Sequence, residues 1–386
     1  MGGNKKMKRF LSLFAILATS LTVVACGGND QQAQAPAQNQ PQTPAASNQA
    51  ALPPVTDNVT VADSNVDLSD FAIGMITDQG GINDQSFNQS AWEGLQRLQA
   101  STGAGISNME SANEAAIGPN LDMMIDLDKD IIWTIGFLTE VPLSQAAAIN
   151  PQQMYGIIDF DFGADTPNNI INVVFRENEA SFLAGYMAAR TSETGQIGFI
   201  GGMQGLVIDR FEFGFRAGAE YAAAVHGFDI DVAVQYVGNF FDDAAARAIA
   251  TTMYANGADI IFAAAGGAGQ GVIDTAIDMN RFVIGVDRDQ RDLAPNNMIT
   301  SVMKFVGEAI YDVSQRVANL ENLGGTTLVY GLAEEGVGLT PFDGGTAELV
   351  EREVFDATME VSDRIINGEV SVPANEAEFN DFMNTL

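Results

Sequence analysis

Cysteine, histidine and lysine are the residues that this sequence has least of. The 386-residue chain contains one cysteine, Cys26, and one histidine, His226. A single cysteine excludes an internal disulfide framework and a cysteine-rich zinc site, and a single histidine leaves little basis for histidine-dependent catalysis or metal binding. Beyond Ala25 the only lysines are Lys129 and Lys304, and every other cationic side chain is an arginine.

Positive charge is scarce overall. Asp and Glu number 50 against 18 Lys and Arg, so the formal net charge is −32. A field of that sign repels phosphate backbones, which argues against nucleic-acid binding. The sequence also lacks the G-x-S-x-G nucleophile elbow and the H-E-x-x-H zinc motif. Apolar residues make up 46% of the chain, enough for a sizeable core, and the length favours two lobes or domains over one.

The glycine-rich run from Gly266 to Gly271 follows a predicted strand and precedes a predicted helix, as a dinucleotide-binding loop does. No start within the run has the G-x-G-x-x-G spacing, and no phosphate-binding lysine follows it. We therefore interpret it as a loop whose backbone approaches a ligand, or as one that requires a positive φ.

The segment from Met1 to Ala25 has the pattern of a secretory signal. A positively charged start precedes a short apolar run from Phe10 to Val24, which is shorter than the roughly 20 residues of a membrane-spanning helix. The run ends in Val-Val-Ala-Cys26-Gly, which resembles a bacterial lipobox and predicts lipidation of Cys26. Residues 26–66 are rich in Gln, Ala and Pro, and we expect them to form a disordered tether.

From residue 67 onward, short apolar runs alternate with longer amphipathic stretches, which predicts an α/β fold with mostly parallel sheets covered by helices on both faces. The predicted strands are Phe71–Thr77, Ile131–Ile135, Tyr155–Ile158, Ile170–Val174, Ile197–Ile200, Val232–Val237, Ile260–Ala265, Phe282–Val286 and Ile299–Met303. The predicted helices lie near Phe87–Gln99, Glu179–Arg190, Phe211–His226, Asp243–Ala255, Val272–Met279 and Val306–Leu320.

Glycines and carboxylates follow the predicted strands, at the edge where open α/β sheets bind ligands. Such residues follow seven of the nine predicted strands. Gly and Asp also favour ordinary turns, so any one of these loops alone is explained as a turn, and only the seven together indicate a binding crevice. Ser86 and Gln89 match a capping box, which would place Phe87 on the first helical turn, either at the mouth of the crevice or as an anchor for the loop. His226 precedes Gly227 at a predicted helix end.

Six segments in order resemble the basic membrane protein family of substrate-binding lipoproteins, whose best understood members are purine-nucleoside receptors for ABC transporters. They are residues 78–94 (DQGGINDQSFNQSAWEG), 175–185 (FRENEASFLAG), 238–242 (GNFFD), 285–290 (GVDRDQ), 300–304 (TSVMK) and 336–338 (GVG). The resemblance covers nearly all of residues 68–375. It departs from the family at Gln85, where lysine is frequent.

This resemblance implies a two-lobed type I periplasmic-binding-protein fold, with ligand in the cleft between the lobes. The first lobe is expected to span positions 67–190 plus about 304–323, and the second lobe positions 191–303 plus about 324–386. The implied ligand contacts are the stacking rings Phe87 and Phe240, Asp78 at the base, Asp287 and Lys304 at the ribose, the backbone of Gly266 or Gly267, and, less specifically, Asp159 and Phe241.

The leading hypothesis is a lipid-anchored, monomeric receptor on the extracytoplasmic face of the cell membrane. It would close around a purine nucleoside and deliver it to an ABC permease and its ATPase, without a cofactor or metal. Three alternatives stay open: a receptor for a sugar or sugar-derived signal, a secreted nucleoside hydrolase, and a sensory or adhesive lipoprotein. The separate loops that carry Asp78, Asp159 and Asp287 argue against the hydrolase.

Overall fold

A computed structural model describes residues 66–386. The predicted signal, the predicted tether and Cys26 lie outside the described residues, apart from the last residue of the tether. None of the helices in the described part has both the length and the apolar character needed to cross a membrane.

Residues 66–386 contain two six-stranded sheets with helices packed against them. The strands are β1 (Ala72–Ile76), β2 (Gly105–Met109), β3 (Ile131–Ile135), β4 (Met154–Ile158), β5 (Ile170–Phe175), β6 (Gln196–Gly201), β7 (Asp231–Tyr236), β8 (Ile260–Ala264), β9 (Phe282–Asp287), β10 (Met298–Lys304), β11 (Thr326–Tyr330) and β12 (Val337–Leu339). The α-helices are α1 (Phe87–Thr102), α2 (Glu114–Ile125), α3 (Glu140–Ile149), α4 (Glu177–Thr191), α5 (Leu206–His226), α6 (Asp243–Ala255), α7 (Gly269–Met279), α8 (Val306–Ala318), α9 (Gly344–Leu349), α10 (Arg352–Ile366) and α11 (Glu376–Met383).

The first sheet has the order β11-β5-β4-β3-β1-β2 and is parallel throughout. The second has the order β12-β10-β9-β8-β6-β7 and is parallel except for β12, which runs antiparallel to β10. Central strands such as β3 and β8 are buried along their whole length, because helices cover both faces of each sheet. The predicted α/β architecture with two sheets is therefore confirmed.

The chain crosses between the two sheets three times: between β5 and α4, between β10 and α8, and between β11 and β12. Helix α4 packs closely on α5 of the second lobe, where a Cβ on Gly185 or Gly218 would collide with the facing backbone. Helix α8 returns to the first lobe, where Ser314 Oγ accepts a hydrogen bond of 2.9 Å from the Trp133 indole.

These crossings differ from the predicted lobe boundaries at two points. The first crossing lies near residue 176 and not at 190, because α4 packs with the second lobe. Strand β11 pairs with β5 of the first sheet, so the third crossing follows residue 330 and not residue 323.

Candidate functional site

A cavity lies between the carboxyl-terminal edges of the two sheets, as expected for open α/β sheets. Its walls include the eight residues that the sequence predicts as ligand contacts: Asp78, Phe87, Asp159, Phe240, Gly266, Gly267, Asp287 and Lys304. The first three come from the first lobe, the next four come from the second, and Lys304 lies at the second crossing. Asp84 and Asn88 also line the cavity, although the sequence-based set contains neither.

Two of the cavity carboxylates sit on unusual backbone. Asp159 directly follows β4 with a φ of 68°, and Asp287 ends β9 with a φ of 66°. A left-handed conformation is uncommon for residues other than glycine, and such residues cluster at functional sites. In both cases the sharp turn at the strand end directs a buried carboxylate into the cavity wall.

The start of α1 positions Phe87, but through different contacts from those predicted. Ser86 makes no capping hydrogen bond; its hydroxyl donates instead to Asp287 of the opposite lobe. Asp84 accepts hydrogen bonds from the backbone N–H groups of Ser86, Asn88 and Gln89, at 2.9, 2.9 and 3.0 Å. The predicted capping box is therefore wrong, because Asp84 satisfies the free N–H groups of the first turn.

Glycines on the second lobe leave room for Phe240. A Cβ on Gly202 would overlap the Phe240 ring, and Gly266 adopts a φ of 55° beside it. The Phe240 ring meets Phe137 of the first lobe edge-on, with centroids 6.2 Å apart. Phe241, the second member of the aromatic doublet, is 56% exposed. Of the two rings in the doublet, the structure thus places Phe240 in the cavity wall.

Lys304 is the centre of a buried ion cluster. Its Nζ lies 2.6 Å from Asp159 and 2.8 Å from Glu177, and the Glu177 carboxylate is 3.6 Å from Arg210. Burial alone would lower the pKa of Lys304, but the carboxylates of Asp159, Glu177 and Asp287 outweigh it and raise that pKa. The direct ion pairs of Lys304 are with Asp159 and Glu177, and Glu177 is absent from the sequence-based set of ligand contacts.

Burial sets the charge state of the cavity acids. It raises the pKa of Asp78 to about 6 and that of Asp287 to about 7, although Lys304 acts against the second shift. The pKa of Asp159 is also raised by burial, in spite of its ion pair with Lys304. Several carboxylates facing one ammonium suit a neutral ligand that is rich in N–H and O–H donors, and they disfavour an anionic one.

Contacts between α1 and the loop after β9 join the two lobes beside the cavity. Gln290 Nε2 donates to the backbone oxygen of Gln85 at 2.8 Å, and Arg288 lies 3.3 Å from Glu93. Gln85 has a φ of 58°, so its carbonyl reaches the opposite lobe from a left-handed residue. Together with the hydrogen bond from the Ser86 hydroxyl, these contacts hold the lobes to each other on this side of the cavity.

The three acids that the sequence assigned to separate loops meet at one cavity. Asp78, Asp159 and Asp287 do follow different strands, but all three line the same walls. Their separation along the chain therefore no longer argues against a hydrolase. Within residues 66–386 no group of three or more His, Cys, Asp or Glu side chains is arranged to hold a metal ion.

Comparison with known proteins identifies relatives over most of the chain. Residues 71–376 match a family described as ABC transporter substrate-binding protein PnrA-like. Basic membrane protein D of Borreliella burgdorferi is 36% identical over 315 residues, which cover 81% of this chain and 90% of that protein. The CD4+ T-cell-stimulating antigen of Listeria monocytogenes is 35% identical over 325 residues, covering 79% of this chain and 88% of the antigen.

Solved structures give the same architecture. A solute-binding protein of an ABC transporter system from Aeropyrum pernix has a TM-score of 0.74 at 24% identity, covering 81% of this chain and 96% of that one. A second, from Conexibacter woesei, has a TM-score of 0.65 at 22% identity, covering 79% of this chain and 100% of that one. At these identities the likeness is one of fold, and it confirms the two-lobed periplasmic-binding-protein architecture.

Proposed function

The chain belongs to the PnrA-like family of ABC transporter substrate-binding proteins, and from that premise we propose that it captures a purine nucleoside and delivers it to an ABC importer. The family consists of substrate-binding proteins and not of enzymes, and such proteins work with a membrane permease and its ATPase. We further propose that the protein acts as a monomer, anchored by a lipid on Cys26 to the extracytoplasmic face of the membrane.

The observation that carries this proposal is the pair of aromatic rings from opposite lobes. Phe87 and Phe240 line one cavity, and each is positioned by local structure of its own lobe. A flat heterocycle between two rings gains about 1–3 kcal/mol per stacked base. Because the rings come from different lobes, a stacked base would favour the closed arrangement over an open one.

The polar groups around the rings fit the rest of a nucleoside. Asp78 would accept hydrogen bonds from N–H groups of the base, and Asp287 would accept two from the ribose hydroxyls. Lys304 would donate to a ribose oxygen, with Asp159 holding its ammonium in place at 2.6 Å. Gly266 and Gly267 bring backbone close to the same space.

Thermal unfolding with a panel of ligands tests the proposal. Purified protein is heated with adenosine, guanosine, inosine, cytidine, ribose and galactose, and the purine nucleosides alone should raise the melting temperature. Ligand at 100 times its dissociation constant adds about 2.7 kcal/mol to the free energy of unfolding. A shift with sugars alone would instead identify a sugar receptor, and recovery of free base and ribose would identify a hydrolase.

Matched variants connect that shift to the rings. Phe87→Ala and Phe240→Ala should abolish the nucleoside-induced shift, because each removes one stacking face. Phe241→Ala is the control, since its exposed ring lies next in sequence to Phe240 but outside the cavity wall. Equal losses in all three variants would contradict the stacking geometry.

A further inference from the structure

Asn88 lines the cavity beside Phe87, on the first turn of α1. Its side chain is buried, with the residue only 2% exposed. The amide nitrogen Nδ2 donates to Asp78 at 2.9 Å and to Asp84 at 3.1 Å. Both amide hydrogens are thereby directed at carboxylates.

These contacts fix which way the amide points. A flipped amide would place Oδ1 against two carboxylate oxygens, which have no hydrogen to donate when ionised. Asp84 is itself held by three backbone N–H groups, so it is a rigid support for the Asn88 amide. The position of Asn88 Oδ1 is therefore determined by the fold before any ligand arrives.

Asn88 Oδ1 is buried and has no hydrogen-bond donor within residues 66–386. Buried acceptors without a donor are rare, and each calls for an explanation such as a missing partner. Asn172 Oδ1 is also without a donor in that part of the chain, but Asn172 does not line the cavity. A ligand in the cavity can therefore supply the donor for Asn88 and cannot supply one for Asn172.

Asp78 offers a second acceptor next to this one. Both of its described hydrogen bonds, from Asn88 Nδ2 and from the Gly80 backbone at 3.3 Å, end on Oδ1. The other oxygen, Oδ2, lies beside Gly136, as does the edge of the Phe87 ring. The two acceptors, Asn88 Oδ1 and Asp78 Oδ2, belong to side chains that are hydrogen-bonded to each other.

We propose that Asn88 determines specificity by accepting a second N–H from the base edge, so that the site selects bases with two N–H donors over bases with one or none. This inference rests on the proposed nucleoside-binding function. Guanine presents its N1–H beside its 2-amino group, and the 6-amino group of adenine carries two hydrogens. Hypoxanthine has the N1–H alone on that edge, and unsubstituted purine has neither.

Calorimetric titration with two ligand pairs tests this in the unmodified protein. Guanosine and inosine differ only in the 2-amino group, and adenosine and purine riboside differ only in the 6-amino group. The amino-bearing member of each pair should bind about tenfold tighter or more, because the other leaves a buried acceptor unpaired. Equal affinities within both pairs would refute the role of Asn88.

Variants then assign the preference to one atom. Asn88→Ala should weaken guanosine about tenfold while changing inosine little, so that the ratio of their dissociation constants falls toward one. Asn172→Ala, which removes a buried asparagine outside the cavity, should leave that ratio unchanged. If Asn88→Ala weakens both ligands by the same factor, Asn88 only supports the loop and the inference is wrong. If no nucleoside binds the unmodified protein, the proposed function fails as well, which separates the two failures.

Discussion

Replacing Lys304 by methionine tests how much the buried ion cluster contributes to the free energy of unfolding. Methionine keeps the unbranched apolar stem but removes the ammonium that lies 2.6 Å from Asp159 and 2.8 Å from Glu177. Arg210, 3.6 Å from Glu177, then remains as a cation beside the cluster. Removing one partner of a buried ion pair costs about 3–5 kcal/mol, because the remaining charge is neither solvated nor compensated. We expect Lys304→Met to lose that much free energy of unfolding at pH 8.

The loss should shrink in acid, and the sign follows from linkage. Without the ammonium, which acts against the effect of burial, the pKa of Asp159 rises further in the folded state, while in the unfolded state it stays at its ordinary value. The folded variant therefore binds more protons than the unfolded chain, so its stability rises as the pH falls. For each proton that the folded variant binds and the unfolded chain does not, the free energy of unfolding rises by about 1.4 kcal/mol per unit decrease in pH, until the unfolded chain is protonated as well.

Urea unfolding at pH 8 and pH 6 measures both effects. Lys129→Met is the matched control, since no ion pair of Lys129 is found in the described part of the chain and we expect a change within about 0.5 kcal/mol. The double variant Lys304→Met/Glu177→Gln should be more stable than the single variant, because it removes one uncompensated charge. A loss below about 1 kcal/mol, or the same loss at both pH values, would refute this description of the cluster.

Two further predictions concern the same region. Burial raises the pKa of Asp287 to about 7, so the folded protein holds a proton that the unfolded chain releases. The melting temperature of the ligand-free protein should therefore fall as the pH rises from 5 to 7, and it should fall less steeply in Asp287→Asn. An equal fall in both proteins would contradict the raised pKa. Arg288→Ala removes the 3.3 Å ion pair with Glu93 that joins the two lobes. Because both side chains are partly exposed, the pair contributes little, and the rate of nucleoside dissociation measured by stopped-flow should rise by up to about fivefold. Arg97→Ala, which breaks the pair with Glu308 inside the first lobe, should leave that rate unchanged.

The position of the cavity could be predicted from the sequence because ligands of open α/β sheets bind at the carboxyl ends of the strands. Asp78, Asp159 and Asp287 each follow an apolar run, and the carboxyl ends of such runs converge on one edge. The end of α5 was also predictable, because it depends on adjacent residues: His226 is the last residue of the helix, and Gly227 caps it with a φ of 73°. The stacking roles of Phe87 and Phe240 came from the family resemblance, since an aromatic residue near a loop does not by itself reveal which ring faces a ligand.

What the sequence missed depends on distant contacts. Glu177 is one of several acids at a helix start, and only the fold brings it to Lys304. Asn88 carries no charge, and its free acceptor is evident only once Asp78 and Asp84 occupy its nitrogen. The edge strand β2, with the sequence GISNM, is too polar to stand out as an apolar run. Positions 326–330, which form β11, were not predicted as a strand and were assigned to the second lobe, because their partner β5 lies far earlier in the chain.

The late return of β11 to the first sheet has a consequence for biosynthesis. β5 ends at Phe175 and its neighbour begins only at Thr326, so one side of β5 has no partner while the intervening chain is made. At about 5–20 residues per second, translation of that interval takes roughly 8–30 s. Throughout it the nascent chain exposes an open strand edge that can pair with another polypeptide. A truncated product that stops before β11 would keep this open edge and would be prone to aggregate.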